Sequence, residues 1–138
     1  MNIDKIDLDI IKILETNSKL SFKEIGEKVH MTGQAVGFRV NKLIEEGIIQ
    51  NFTIKTDKSK LGFSTTAFIK LYMNTADHSN VLSIIEKHDE IVEAFRISSD
   101  CCYILKIESL NTDFINSLIE EVSSFANYQI SLSLSKVK

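Results

Sequence analysis

Proline is absent from this 138-residue chain, and glycine occurs only five times. Without proline there is no collagen-like repeat, no proline-rich recognition segment and no proline-stiffened linker. Cysteine is scarce: Cys101 and Cys102 are neighbours, and there are no others. Adjacent strand residues point to opposite faces, so a disulfide between them would demand a distorted backbone. Zinc sites of the common cysteine-rich spacings are excluded, and two reduced cysteines packed as small apolar groups are expected. Long apolar runs are missing too; none approaches the roughly 20 residues needed to span a bilayer. The stretch from Met1 to Asp7 is acidic and alternates with polar residues. It has neither the basic region nor the apolar core of a secretory signal, so a soluble, cytoplasmic protein is expected.

A strong charge excess is also lacking. The net charge is -3, with 43% apolar and 25% charged residues, values ordinary for a globular protein. Its distribution is uneven. Residues 1–60 carry ten Lys and Arg against nine Asp and Glu, net +1; residues 61–138 carry six against ten, net -4. A mildly basic first half and an acidic second half suit two small domains with different tasks. Signatures of catalysis are absent: no glycine-rich phosphate loop, no G-x-S-x-G, no H-E-x-x-H. His30, His78 and His88 are scattered. The expectation is a protein that is not an enzyme and carries no metal or cofactor.

The first half has the period of three helices. Over Asp4–Thr16, the residues Ile3, Ile6, Ile10, Ile13 and Leu14 form one stripe, with Leu8 and Ile11 off it. Ser21-Phe22-Lys23-Glu24 is a capping box that opens a second helix, with Phe22, Ile25 and Val29 on one face. After the break at His30-Met31, Thr32 is a second N-cap. A third helix follows to about Glu46, with Val36, Val40, Leu43 and Ile44 inward. Gly47 stands where a left-handed residue closes a helix, and Ile48–Lys55 is a predicted strand. Two short helices, a tight turn and a strand behind them suit a winged helix-turn-helix. A plain three-helix bundle with no DNA role fits the same periodicity.

The third helix carries the sharper signal. At about 100° per residue, Gln34, Phe38, Asn41, Lys42 and Glu45 lie opposite the apolar stripe, with Arg39 on its shoulder. Glutamine can bond adenine bidentately, and an aromatic ring can meet a thymine methyl. Arg39 and Lys42 are the candidate phosphate contacts. Gly33 and Gly37 cost roughly 1 kcal/mol each in helix propensity; close approach to the sugar-phosphate wall would explain them. With the two capping hydroxyls, Ser21 and Thr32, the residues Gly33, Gln34, Gly37, Phe38, Arg39, Asn41 and Lys42 form the candidate DNA-binding set.

The second half changes period. Over Ser64–Thr75, Ala67, Ile69, Leu71 and Met73 share one face of a strand, Phe68 and Tyr72 the other. A helix over Asp77–His88, strands over Ile91–Ser98 and Cys101–Glu108, a helix over Asn111–Phe125 and a strand over Tyr128–Val137 follow. The order βαββαβ is a ferredoxin-like split unit. The predicted organisation is α+β: a winged helix-turn-helix over residues 1–55, a linker over 56–63, and a ferredoxin-like dimerisation and effector domain over 64–138. Both helices fall on one face of the sheet, so Phe68 and Tyr72 need another cover, most simply a second copy.

These blocks together resemble the Lrp/AsnC, or feast/famine, transcription regulators of bacteria and archaea. The resemblance rests on Ile3-Asp4-Lys5-Ile6-Asp7, Ile10-Ile11-Lys12-Ile13-Leu14, Ser18-Lys19-Leu20-Ser21 and Glu24-Ile25-Gly26. Val36-Gly37-Phe38-Arg39-Val40-Asn41-Lys42-Leu43, Glu46-Gly47-Ile48-Ile49 and Leu61-Gly62 complete it. It implies a sequence-specific regulator of double-stranded DNA, a dimer that assembles further, commonly to an octamer, and an amino-acid or other small-molecule effector. The implied effector region is the turn Ser98-Ser99-Asp100 with the last strand. Here the chain departs from the family's pattern. Ser99 replaces a glycine of that turn, Cys102 replaces the aspartate before an aromatic, and Tyr128 and Ile130 replace a Thr-x-Thr. Fewer polar groups remain for an amino acid's charged ends, so the expectation is DNA binding that does not require one. Two other readings share the architecture: a DNA-bending or wrapping protein with little sequence preference, and a sirohaem-decarboxylase-like enzyme. The second would need Arg and His to pair with porphyrin carboxylates, and only Arg39 and Arg96 are available.

Overall fold

Asp4 starts the first helix, and the reason is local. Its side chain accepts from the Asp7 amide while the Asp7 side chain accepts from the Asp4 amide, a reciprocal capping box. In this computed structural model, which describes residues 3–98 and 101–137, α1 spans Lys5–Thr16. Ser21 and Glu24 cap α2 (Phe22–Val29) in the same manner. Thr32 caps α3 (Gly33–Glu45), its hydroxyl accepting from the Ala35 amide at 3.2 Å. Ile10, Leu14, Ile25, Val36 and Val40 form the core of this unit, with Ile6, Ile13, Leu20, Val29, Met31 and Ile49 packed against it. Ile3 precedes the cap and Ile44 turns outward, so both are exposed rather than on the buried stripe.

The turn between α2 and α3 is tight. His30 is left-handed at φ 56°, and the Met31 amide donates to the Gly26 carbonyl at 2.9 Å. A Cβ at Gly26 would overlap the Met31 carbonyl oxygen. Backbone, not a flexible side chain, would have to move. Gly26→Ala should therefore destabilise this unit by roughly 1–3 kcal/mol, the usual cost of overpacking, measurable as a lower midpoint in chemical denaturation.

The expected strand over Ile48–Lys55 does not form. Gly47 adopts φ +70°, and the amides of Ile48 and Ile49 both donate back to the Leu43 carbonyl, at 2.9 and 3.0 Å. A strand needs a ladder partner, and this unit has none among its described residues. Phe52 and Ile54 are left exposed.

The chain divides into two compact units, Met1–Lys55 and Thr56–Lys138. The second opens with a 3-10 turn at Ser59–Leu61, within the stretch expected to be a linker, closed by Gly62 at φ +90°. Then come β1 (Thr65–Met73), α4 (Ser79–Lys87), β2 (Ile91–Arg96), β3 (Tyr103–Ser109), α5 (Asp113–Val122) and β4 (Ala126–Leu132). The sheet order is β2-β3-β1-β4, antiparallel throughout. This is the ferredoxin-like arrangement the βαββαβ order predicts.

Alternation sets the core. Ala67, Ile69 and Leu71 of β1 and Tyr103, Leu105 and Ile107 of β3 point to the helices, meeting Val81 of α4 and Ile115, Leu118 and Val122 of α5. The edges are covered less. Tyr128, Ile130 and Leu132 pair with Leu71, Ile69 and Ala67, on the helix-bearing face, yet remain 38–55% exposed. β4 ends at Leu132, so the expected strand to Val137 is too long; Leu134 and Val137 are solvent-exposed.

Candidate nucleic-acid interface

α3 presents an outward face of five exposed side chains, Gln34, Phe38, Asn41, Lys42 and Glu45. Phe38 is 71% exposed and shares its face with polar side chains, so α3 presents an aromatic ring beside hydrogen-bonding groups to whatever it meets. Gln34 and Phe38 are separated by one helical turn, about 6 Å along the axis. Both lie in the part of the helix nearest the capped N-terminus, where a recognition helix meets base edges.

The other members of the expected set have structural work. Ser21 Oγ donates to Glu24 Oε2 at 2.6 Å, and the Ser21 amide donates to the same oxygen at 2.7 Å. These bonds hold the Glu24 carboxyl below its usual range. The Thr32 hydroxyl serves the Ala35 amide. The two glycines do not face outward. A Cβ at Gly33 would stand 3.0 Å from the Lys23 amide nitrogen, and one at Gly37 would stand 3.0 Å from the Phe22 ring. Their bareness lets α2 and α3 approach each other, which corrects the expectation that it admits the sugar-phosphate wall.

Arg39 is the larger correction. Its Nη1 donates to Asp7 Oδ1 at 2.7 Å and to Asp4 Oδ2 at 2.8 Å. The Asp7 side chain is only 2% exposed. The guanidinium is held to α1 by two carboxylates and is not a free phosphate clamp. Its hydrogen bonds to Asp7 and then to Asp4 raise the Arg39 pKa further. The Asp4 carboxyl is lowered, first by the Asp7 amide and then by Arg39. The signal lay in the sequence. Asp7 falls within the apolar stripe of α1, three residues before Ile10 and seven before Leu14, and a buried carboxylate needs a cation. Arg39 is the only arginine in residues 1–60.

In the second unit, Phe68 and Tyr72 lie on the helix-free sheet face, as expected. Register adds Phe95 and Ile104, which are paired with each other on that face. The charged Lys106 stands between Glu93 at 2.7 Å and Glu108 at 3.6 Å. Of the expected effector residues, Ser98 is exposed, while Ser99 and Asp100 lie outside the described residues. The Cys102 amide donates to the Leu71 carbonyl at 2.8 Å, and Leu71 pairs with Tyr128. Cys102 and Tyr128 therefore border one end of the sheet, with Ile130 two pairs further on. At that end His78 Nδ1 lies 2.8 Å from the hydroxyl of buried Tyr103. Both cysteines are free thiols. No group of His, Cys, Asp and Glu suited to a metal occurs among the described residues. No helix among them is long and apolar enough to cross a membrane.

Two family models match the chain in succession. Residues 3–50 match winged helix-turn-helix DNA-binding, and residues 66–138 match the Lrp/AsnC ligand binding domain. The HTH-type transcriptional regulator LrpB of Bacillus subtilis is 44% identical over 138 residues, covering 100% of this chain and 93% of that one. The chain belongs to the Lrp/AsnC family of transcriptional regulators. The structure of B. subtilis LrpC superposes with a TM-score of 0.93 at 30% identity, covering 100% of this chain and 99% of the other. A regulator from Neisseria meningitidis, solved as an L-Met complex, shares the fold with a TM-score of 0.92 at 20% identity, covering 99% and 93%. This Lrp/AsnC protein is a DNA-binding regulator rather than an enzyme, which sets the decarboxylase reading aside.

Proposed function

We propose that residues 1–55 read double-stranded DNA through the outward face of α3, and that residues 64–138 pair copies of the chain and take the effector, with 56–63 joining them. The single observation that carries this reading is the exposed Phe38 one turn from Gln34 on the capped second helix of a helix-turn-helix. Gln34 and Phe38 meet base edges, and Asn41 and Lys42 the phosphate backbone; Ser21, Thr32, Gly33 and Gly37 hold the two helices in position. The protein acts in the cytoplasm as a dimer through Phe68 and Tyr72, and dimers assemble further, up to an octamer. Two-fold symmetry then calls for a roughly palindromic site.

The candidate effector is an amino acid or other small molecule, a reading supported by the ligand-binding family model and by the methionine complex of the Neisseria relative. Cys102, Tyr128 and Ile130 supply little to neutralise a zwitterion, so DNA binding proceeds without it. Titrating a pool of randomised duplexes at rising salt, with and without pooled amino acids, tests both points. Affinity should fall steeply with salt, and Lys42→Ala should reduce the slope by about one. Amino acids should change the affinity little. Failure to bind any duplex at low salt would refute the reading.

A further inference from the structure

The reading face of α3 is selective in what it lacks. Guanine is read by a bidentate arginine or lysine, and cytosine by a carboxylate that can accept from its amino group. Arg39, the only arginine of the unit, gives Nη1 to both Asp4 and Asp7. Swinging it toward a base would strip the buried Asp7 carboxylate of its counter-ion. Of the nearby carboxylates, Asp4 accepts from the Asp7 amide through Oδ1 and from Arg39 through Oδ2, and the exposed Glu45 stands about 17 Å along the helix axis from Gln34, at the C-terminal end of α3. The Thr32 hydroxyl accepts from the Ala35 amide. Lys42 is exposed, but it lies about 12 Å along the helix axis from Gln34, in the half that leaves the base edges for the backbone.

What remains near the N-terminal half is Gln34 and Phe38. A glutamine amide matches adenine N6 and N7, and an aromatic ring matches the thymine methyl. Their separation of about 6 Å spans roughly two base pairs at about 3.4 Å each. We propose that the base pairs read by α3 in each half-site are A·T pairs, with Gln34 on adenine and Phe38 on a thymine methyl, because the Arg39–Asp4–Asp7 cluster withdraws the groups that would read G·C. This proposal rests on the reading of α3 as the recognition helix.

Selection of bound sites from randomised duplexes with the full chain tests it. Adjacent A·T pairs should dominate the contacted positions of each half-site. Replacing the selected thymines by uracil removes only the methyl group. It should weaken the parent about tenfold and leave Phe38→Ala nearly unaffected. Replacing the adenines by 7-deazaadenine should likewise weaken the parent and spare Gln34→Ala. Phe38 and Gln34 are exposed, so neither substitution disturbs the core. Half-sites with G·C at the contacted positions, or indifference of the parent to uracil, would overturn this proposal while leaving DNA reading by α3 intact. Duplex binding with no enriched sequence would overturn both.

Discussion

Arg39→Ala should cost the first unit about 3 kcal/mol, because removing one partner of a buried ion pair leaves the other charged and unpaired. Asp7 keeps its bond to the Asp4 amide but loses the cation 2.7 Å away. For a unit of this size, that is a fall in melting temperature of roughly 12 °C or more. Calorimetry of the whole chain should show the loss in the helical unit and an unchanged transition for the sheet unit. Replacing both partners with apolar groups, Asp7→Leu with Arg39→Met, should recover most of the loss, since the pair itself is worth little against a packed apolar core. An Arg39→Ala variant as stable as the parent would show that the cluster is ornamental.

Phe68→Asp should dissociate the proposed dimer. The helix-free sheet face carries Phe68, Tyr72, Phe95 and Ile104. An unpaired carboxylate placed there would have to be desolvated on association, at a cost of several kcal/mol. That corresponds to a roughly thousandfold weaker dimer. Sedimentation at micromolar concentration should find the parent dimeric or larger and the variant monomeric. Leu134→Asp, at a fully exposed position, is the control and should change nothing. A parent that is monomeric under these conditions would refute the assignment of this face.

The parts of the fold legible in the sequence are those governed by local rules. Ser21-x-x-Glu24 and Thr32 act as caps where their spacing says they should. The alternation Ala67, Ile69, Leu71 sorts inside from outside on β1. What was not legible depends on neighbours distant in sequence. Ile48–Lys55 has the composition of a strand but no partner among the described residues, and β-structure is decided by pairing. Gly33 and Gly37 gave the signal of a close approach, but periodicity does not say to what; the answer is Lys23 and the Phe22 ring. Arg39 illustrates the same limit in charge. Its position on the helix shoulder suited a phosphate; Asp7 in the apolar stripe called for a cation, and the contact with residues 32 and 35 positions earlier identifies that cation as Arg39, spent on Asp7 and Asp4. Tyr128 and Ile130 alternate correctly for the helix-bearing face, yet sheet order puts their strand at the edge.

The most direct test of the central claim, that the outward face of α3 reads sequence, is the ratio of affinities for a selected duplex and a random one. It should be measured at one salt concentration for the parent and for Gln34→Ala with Phe38→Ala. Each lost base contact is worth roughly 1–3 kcal/mol of discrimination, so the ratio should fall at least tenfold. Melting temperature and the salt slope should stay as in the parent. A double variant that remains folded and keeps the parent's ratio would contradict the account.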